Sequence, residues 1–383
     1  MTIHKKIFAV LVACAAAASA LVPFSSADAS YRFSDFQGTP PVHVYKSAQK
    51  SPSGMTPAEI KKIYNLPATG GKGTIALIEA YDDASLESDL AVFNKQYNLP
   101  ACTTANGCFE KHKIASSTAS NADWAMETSL DVEWAHAIAP SAKILVVEAK
   151  TQSGANLLSA VDYAASRKDV VAISMSWGGP EFSDELSYDS HFAATGTTAI
   201  FFASSGDNGT GASWPASSPN VIGVGGTSLE IASSGSLIAE SAWSGSGGGV
   251  SAYEKEPAFQ AAYKISKANG MRAIPDVSYD ADPKSGYPIY VTGGSTTATA
   301  KSAKGAWYTV GGTSAGSPQW AAIEALGGSA VLKKFYTDKA STNTLKYFRD
   351  ITSGSNGTCQ YYCDARSRYD YVTGLGSPQT VKF

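Results

Sequence analysis

Charge is scarce in this chain: Asp, Glu, Lys and Arg make up 16% of its 383 residues, against about 25% in an average globular domain. The formal net charge is −3 with no basic stripe, so nothing here would draw a nucleic-acid backbone. Histidine is rarer still, five residues in all, and no Cys/His pair has zinc-site spacing. Beyond the first two dozen residues no apolar run is long enough to span a bilayer. The glycines of "GGKGT" (Gly70–Thr74) precede a strand-like run instead of joining a strand to a helix, which excludes a phosphate-binding loop.

What the chain does have begins with an export pattern. Lys5 and Lys6 precede an apolar stretch from Ile7 to Phe24, and Ala27-Asp28-Ala29 offers a cleavage site. Residues 1–29 therefore read as a secretory signal peptide and the protein as extracellular. Two other readings stay open: a membrane anchor, and a lipoprotein box at Leu11-Val12-Ala13-Cys14. Cys102, Cys108, Cys359 and Cys363 remain, an even number suited to an oxidising compartment. Four cysteines allow three connectivities. The close spacings favour Cys102–Cys108 and Cys359–Cys363, with free buried thiols as the other possibility.

Residues 30–55 are polar, Pro/Ser-rich and aperiodic, and read as an arm or linker before a single domain at 56–383. Order is expected from Thr56, an N-cap followed by Pro57 and a capping-box Glu59. Strand-like runs follow at Thr74–Ala80, Lys143–Ala149, Val170–Ser176, Thr198–Ala203 and Val221–Gly225, all nearly continuously apolar. Helical patterns lie between them at Ala84–Tyr97, Asp123–Ile138, Ala155–Ser166 and Asp184–Ala194. This alternation predicts an α/β fold, a doubly wound and mainly parallel sheet flanked by helices on both faces. The Gly/Ser-rich stretches Ser233–Ser251 and Thr292–Lys304 read as loops.

Chemistry concentrates in three places. On the helix "DWAMETSLDVEWAHAI", Glu127 and Asp131 are four residues apart, about 40° apart around the axis and on one face with Trp124, Leu130 and Trp134. No Lys or Arg between Asp123 and Ser141 compensates them; two such acids, once buried, share a proton and take raised pKa values. Asp123 is placed to cap the helix, and His136 points away as a structural residue. "FFASSGDNG" carries Asp207 at the carboxyl end of a buried strand, where open α/β sheets bind ligands; an Asp-Asn-Gly turn is the plainer reading. "GGTSAGSPQW" sets Ser314 between small residues ahead of an apolar run. A serine is inert without a base.

In this order, "TIALIEAYDD", "ETSLDVEWAHAIAPSAKI", "SMSWGG", "ASSGDNG", "PNVIGVGGTSL", "GGGVS", "IPDVSYDADP", "GGTSAGSP" and "YDYVTGLGSP" resemble the motifs of the sedolisins, the serine-carboxyl peptidases related to subtilisins. The resemblance runs from about Met55 to Lys382. It implies Ser314 as nucleophile, Glu127 as its general base and acid, Asp131 as the residue that orients Glu127, and Asp207 in the oxyanion hole. Glu79 would extend the acid network, with Trp177 beside it. Ser176, Gly178 and Gly179, and Gly247 and Gly248, would flank the substrate. None of His43, His112, His136 or His191 lies in an H-G-T-H-like segment, which counts against a histidine-based subtilisin site. A scaffold of this family turned to binding alone is the remaining alternative, although all four catalytic positions are filled.

The resemblance implies an endopeptidase acting on polypeptides at acidic pH. A carboxylate with a pKa near about 4 still accepts protons where imidazole is already charged. Tripeptidyl-peptidase action in the same family is a second possibility, and a monomer is expected. It also implies one structural Ca²⁺, held by the carboxylates of Asp350 and Asp370 and the carbonyls of Ile351, Arg366 and Arg368, a hard-oxygen set. The two later carbonyl positions are usually glycine; arginine here removes backbone freedom and adds charge. Members of the family are often made with a large pro-domain, whereas only residues 30–55 separate the signal pattern from the catalytic start.

Overall fold

The computed structural model describes residues 30–116, 119–193, 196, 198–293, 304–327, 335–336 and 344–381. The expected signal peptide at 1–29 lies outside them, as do residues 294–303 of the stretch read as a loop. An eight-stranded sheet forms the centre. Its order is Leu237–Ala242, Val221–Ile231, Ile200–Ser204, Val170–Met175, Thr74–Ala80, Lys143–Ala149 and Phe109–Lys113, with Val277–Asp280 added in parallel to Val221–Ile231. Every pairing is parallel except that of Leu237–Ala242.

The period of two along each strand divides the interior into two cores. On Thr74–Ala80, Ile75 and Leu77 join one core with Leu130 and Trp134 of the helix Ala122–Ile138 and Trp320 of the helix Gly316–Ala325. Ala76 and Ile78 face the other core, with Leu157 and Val161 of the helix Gly154–Ser166. All seven residues of this strand are buried, which explains its unbroken apolar run. The α/β expectation therefore stands, within one chain of continuous packing. Among the described residues no helix is long and apolar enough to cross a membrane.

Four local expectations change. Asp123 does not cap its helix; Asn121 does, its side chain accepting from the N–H groups of Asp123 and Trp124. Glu185–Phe192 is a 3₁₀ helix, not an α-helix. Ser233–Ser251 contains the antiparallel strand Leu237–Ala242 and the start of Gly249–Lys255, so it is not merely a loop. Residues 30–55, read as an arm, dock on the domain. Phe36 is fully buried and packs edge-on against Trp214, with ring centroids 4.9 Å apart. His43–Gln49 then pairs antiparallel with Ala306–Gly311. Both expected disulfides, Cys102–Cys108 and Cys359–Cys363, are formed.

Candidate active site

Three elements bring the predicted residues together. The helix Ala122–Ile138 supplies Glu127 and Asp131, both fully buried. Asp207 follows the strand Ile200–Ser204, and Ser314 sits in the single 3₁₀ turn Thr313–Ala315 that opens Gly316–Ala325. Gly312 makes that entry possible. Its φ is +130°, and a Cβ there would fall 2.0 Å from the Pro41 carbonyl oxygen and 2.5 Å from Asp207 Oδ2, so only glycine fits.

The buried acids form a chain. Ser176 Oγ lies 2.9 and 2.8 Å from the two oxygens of Asp131 and donates to that carboxylate. Glu79 Oε2 accepts from Thr128 Oγ1 at 3.2 Å and neighbours Asp131. Asp131 and Ser314 in turn are side-chain neighbours of Glu127. Among the described residues, neither oxygen of Glu127 nor the Ser314 hydroxyl has an aligned hydrogen-bond partner. Burial pushes Glu127 well above the usual carboxylate range, the Asp131 charge adds to this, and contact with Ser314 opposes it. Burial and the Asp131 charge likewise raise Glu79. Asp131 is pushed up to about 7 by burial, partly offset by the Ser176 bond. The three acids sit too close to ionise independently, and their pKa values belong to the group.

Asp207 is held differently. Its Oδ1 accepts from the Thr313 N–H and hydroxyl, both at 2.8 Å. Its Oδ2 lies 3.1 Å from His43 Nε2. Burial raises the Asp207 pKa, while His43 and Thr313 pull it back. The Trp177 indole N–H donates to the Ile78 carbonyl at 3.1 Å, next to Glu79 in the chain, and so braces that strand.

Of the residues expected to flank a substrate, Gly178 exchanges two main-chain hydrogen bonds with Thr39, at 3.0 and 3.2 Å, and Gly179 pairs with Trp214. Gly247 lines a cleft of about 410 Å³ together with Gly178, Asp207, Pro41 and His43. Gly248 exchanges two main-chain hydrogen bonds with Gly211. Sequence reasoning missed Thr39, Pro41 and His43. The one signal available was the pair Phe33 and Phe36, two aromatics three residues apart in an otherwise polar stretch, which anchor the segment. His43 reaches Asp207, whereas Asp131 and Ser314 are neighbours of Glu127.

The C-terminal residues also gather. Asp350 accepts from the Arg368 N–H at 2.9 Å and the Ser367 hydroxyl at 3.0 Å. Asp370, buried, accepts from the N–H groups of Arg366, Val372 and Thr373. Arg368 adopts the left-handed backbone, φ +70°, that a glycine would take without strain. The Arg366 guanidinium is drawn off to Asp364, 3.3 Å away, and to the face of Tyr361. Ile351 is buried beside them.

Comparison with known proteins agrees with this geometry. The subtilase family matches over residues 112–349. Kumamolisin from Bacillus sp. (strain MN-32) is 30% identical over 382 residues, covering 88% of this chain and 64% of the relative. Sedolisin from Pseudomonas sp. (strain 101) is 28% identical, covering 86% of this chain and 60% of its own length. The chain thus spans less than two thirds of these two relatives. The solved structure of Pseudomonas sedolisin, a serine-carboxyl proteinase complexed with two molecules of pseudo-iodotyrostatin, superposes with a TM-score of 0.69 at 27% identity, covering 86% of this chain and 96% of that one. The chain belongs to the subtilase family, on its sedolisin branch.

Proposed function

We propose that this protein is a secreted serine-type endopeptidase that works in acid. The observation that carries the reading is the burial of Ser314 beside Glu127, with no aligned hydrogen bond to either side chain's oxygens among the described residues. Glu127 takes the Ser314 proton as the hydroxyl attacks a peptide carbonyl, then returns it to the leaving amine. Asp131, tied to Ser176, fixes the Glu127 carboxyl and stores a proton within the buried group. Protonated Asp207 donates to the developing oxyanion; an ionised one would repel it. The two disulfides support an oxidising compartment.

The loss of activity as pH rises follows from Asp207; Glu127 acts as base only while ionised, so activity also falls once pH is low enough to protonate it. The Asp207 pKa is raised by burial, so the donor form persists on the acid side and is lost as pH rises. Digestion of denatured protein should slow by at least about tenfold as pH is raised from about 4 to about 8, because the donor form of Asp207 is lost in that direction. An optimum at alkaline pH would remove the carboxylate mechanism. An active Ser314→Ala chain would remove the serine as well.

The same reading includes a calcium ion in the C-terminal loop. Among the described residues no hydrogen bond reaches the carbonyl oxygens of Ile351, Arg366 or Arg368. With Asp350 and Asp370 they make a set of hard oxygen donors suited to Ca²⁺. The ion would clamp 350–351 to 366–370 as a structural element. Removing it with a chelator should lower Tm by several degrees, about 2.7 kcal/mol being lost if the ion stood at 100 times its Kd. An unchanged Tm would show that the loop closes on its own hydrogen bonds.

A further inference from the structure

The loop 361–369 and the chain that follows the helix Ala258–Tyr263 enclose a second cavity, of about 460 Å³. Tyr263, Lys264, Tyr361, Ser367, Arg368 and Tyr369 are among the residues that line it. It shares no lining residue with the cleft, and the proposed reaction uses none of these side chains. Its volume lies in the range of about 300–1,000 Å³ that small-molecule sites occupy.

Its surface is basic, in a chain whose formal net charge is −3. Among the described residues no carboxylate pairs with Lys264, Lys267 or Arg368. The Lys267 ammonium lies 3.9 Å from the centre of the Tyr361 ring, and Arg366 stands 4.6 Å from the same centre. Two acids stand near, and both are engaged. Asp350 accepts from the Ser367 hydroxyl and the Arg368 N–H, and Asp364 pairs with Arg366. The Tyr263 phenol, on the cavity wall, feels the charges of both Arg368 and Asp350.

The backbone sets the unpaired cations apart. Lys264, Lys267 and Arg368 take left-handed φ values of +66°, +65° and +70°. Glycine adopts that conformation without strain, whereas a long side chain bears a cost of the kind that gathers at functional sites. Three such positions around one cavity each carry a cation. An arginine fork and an ammonium suit a tetrahedral oxyanion, and tyrosines offer rings and hydroxyls to a sugar.

We propose that this cavity binds a sugar carrying a sulfate or phosphate ester, with Lys264 and Arg368 holding the oxyanion and the tyrosines facing the sugar ring. The site does not depend on the peptidase reading.

Calorimetric titration of the full chain at constant ionic strength tests it, with trehalose 6-sulfate, trehalose 6-phosphate, trehalose and sodium sulfate as probes. At least one ester should bind saturably, and the tighter ester identifies the oxyanion. Lys264→Asn and Arg368→Asn should each weaken that binding by about tenfold, the scale of one charge-assisted hydrogen bond. Asparagine suits a left-handed backbone, and melting curves check that both chains fold. If Arg368→Asn does not fold, Lys264→Asn decides, since it lies outside that loop. Lys95→Gln, which removes an exposed charge from the helix Leu86–Tyr97, should leave binding unchanged. Equal weakening by Lys95→Gln overturns the proposal, because the attraction would then be diffuse. So does unchanged binding in the asparagine variants, or no saturable binding of either ester. Trehalose binding as tightly as its esters removes the role of the cations. Sodium sulfate binding as tightly as the sulfate ester removes the sugar.

Discussion

Glu127→Gln is expected to lower kcat/KM for peptide hydrolysis by about 10⁴-fold, the scale on which triad-type sites lose activity when proton transfer is cut. The amide has nearly the shape of the carboxyl it replaces but cannot accept the Ser314 proton. Stability should move the other way. Glu127 is fully buried, its pKa is raised by burial and by the Asp131 charge, and among the described residues neither oxygen has an aligned partner. Its ionised form is a cost to the fold that glutamine does not carry. A group whose folded pKa lies above its unfolded value contributes stability below the unfolded pKa and loses it as pH rises through the folded one. At about pH 7 the variant should therefore melt no lower than the parent chain. Kinetics and a melting curve on the same sample check this. A fall in Tm together with the loss of activity would mean that Glu127 holds the fold and that its role in proton transfer is unsupported.

The largest stability loss is expected at Arg272. Arg272 and Asp276 are both fully buried. The guanidinium meets the carboxylate through two nitrogens, at 2.7 and 2.5 Å, and donates also to the carbonyls of Ala273 and Val221. Asp276 in turn accepts from the Gly223 N–H and the Tyr336 hydroxyl. The pair thus ties the strand Met271–Ile274 to Val221–Ile231, which lies beside the strand leading to Asp207. Arg272→Leu leaves the Asp276 charge buried and unmatched, at a cost of about 3–5 kcal/mol. For a domain of this size Tm should fall by on the order of 10 °C. Arg272→Lys should recover little, because a point charge cannot reproduce the two-pronged contact. Adding Asp276→Asn to Arg272→Leu should recover part of the loss by removing the stranded charge. Calorimetry of the three chains checks the order; a single Arg272→Leu within a degree or two of the parent would show that the pair contributes nothing.

The sequence made the middle of the sheet legible and hid its margins, for a physical reason. Thr74–Ala80 and Lys143–Ala149 are buried on both faces, so their apolar runs are continuous and their bounds are read without error. Phe109–Lys113 ends the sheet. As an edge strand it has one neighbour and much exposure, and its Glu110, Lys111, His112 and Lys113 look like loop residues. Leu237–Ala242, at the opposite edge, is half exposed and merges into a Gly/Ser-rich stretch in the same way.

The site divides along similar lines. Glu127 and Asp131 were visible because two acids on an apolar helix face, with no basic residue nearby, demand an explanation. The link from Ser314 to that helix spans 187 positions and came from the ordered motifs of a family, because periodicity carries no information over such a distance. The docking of residues 36–43 was hidden altogether: its contacts are main-chain bonds from Thr39 and a single histidine, neither of which has a sequence pattern. The arginines at 366 and 368 were visible as oddities. The structure accounts for one by pairing it with Asp364 and Tyr361, and gives the other a left-handed backbone held by Asp350.

The most direct test of the account follows one atom, Ser314 Oγ. The chain is mixed with a peptide ester in acid, quenched during turnover and digested for mass mapping. The account predicts an acyl group on the peptide containing Ser314 in this chain, and none when Glu127→Gln is added. An acyl group on any other residue, or turnover with Ser314 replaced by alanine, would contradict it.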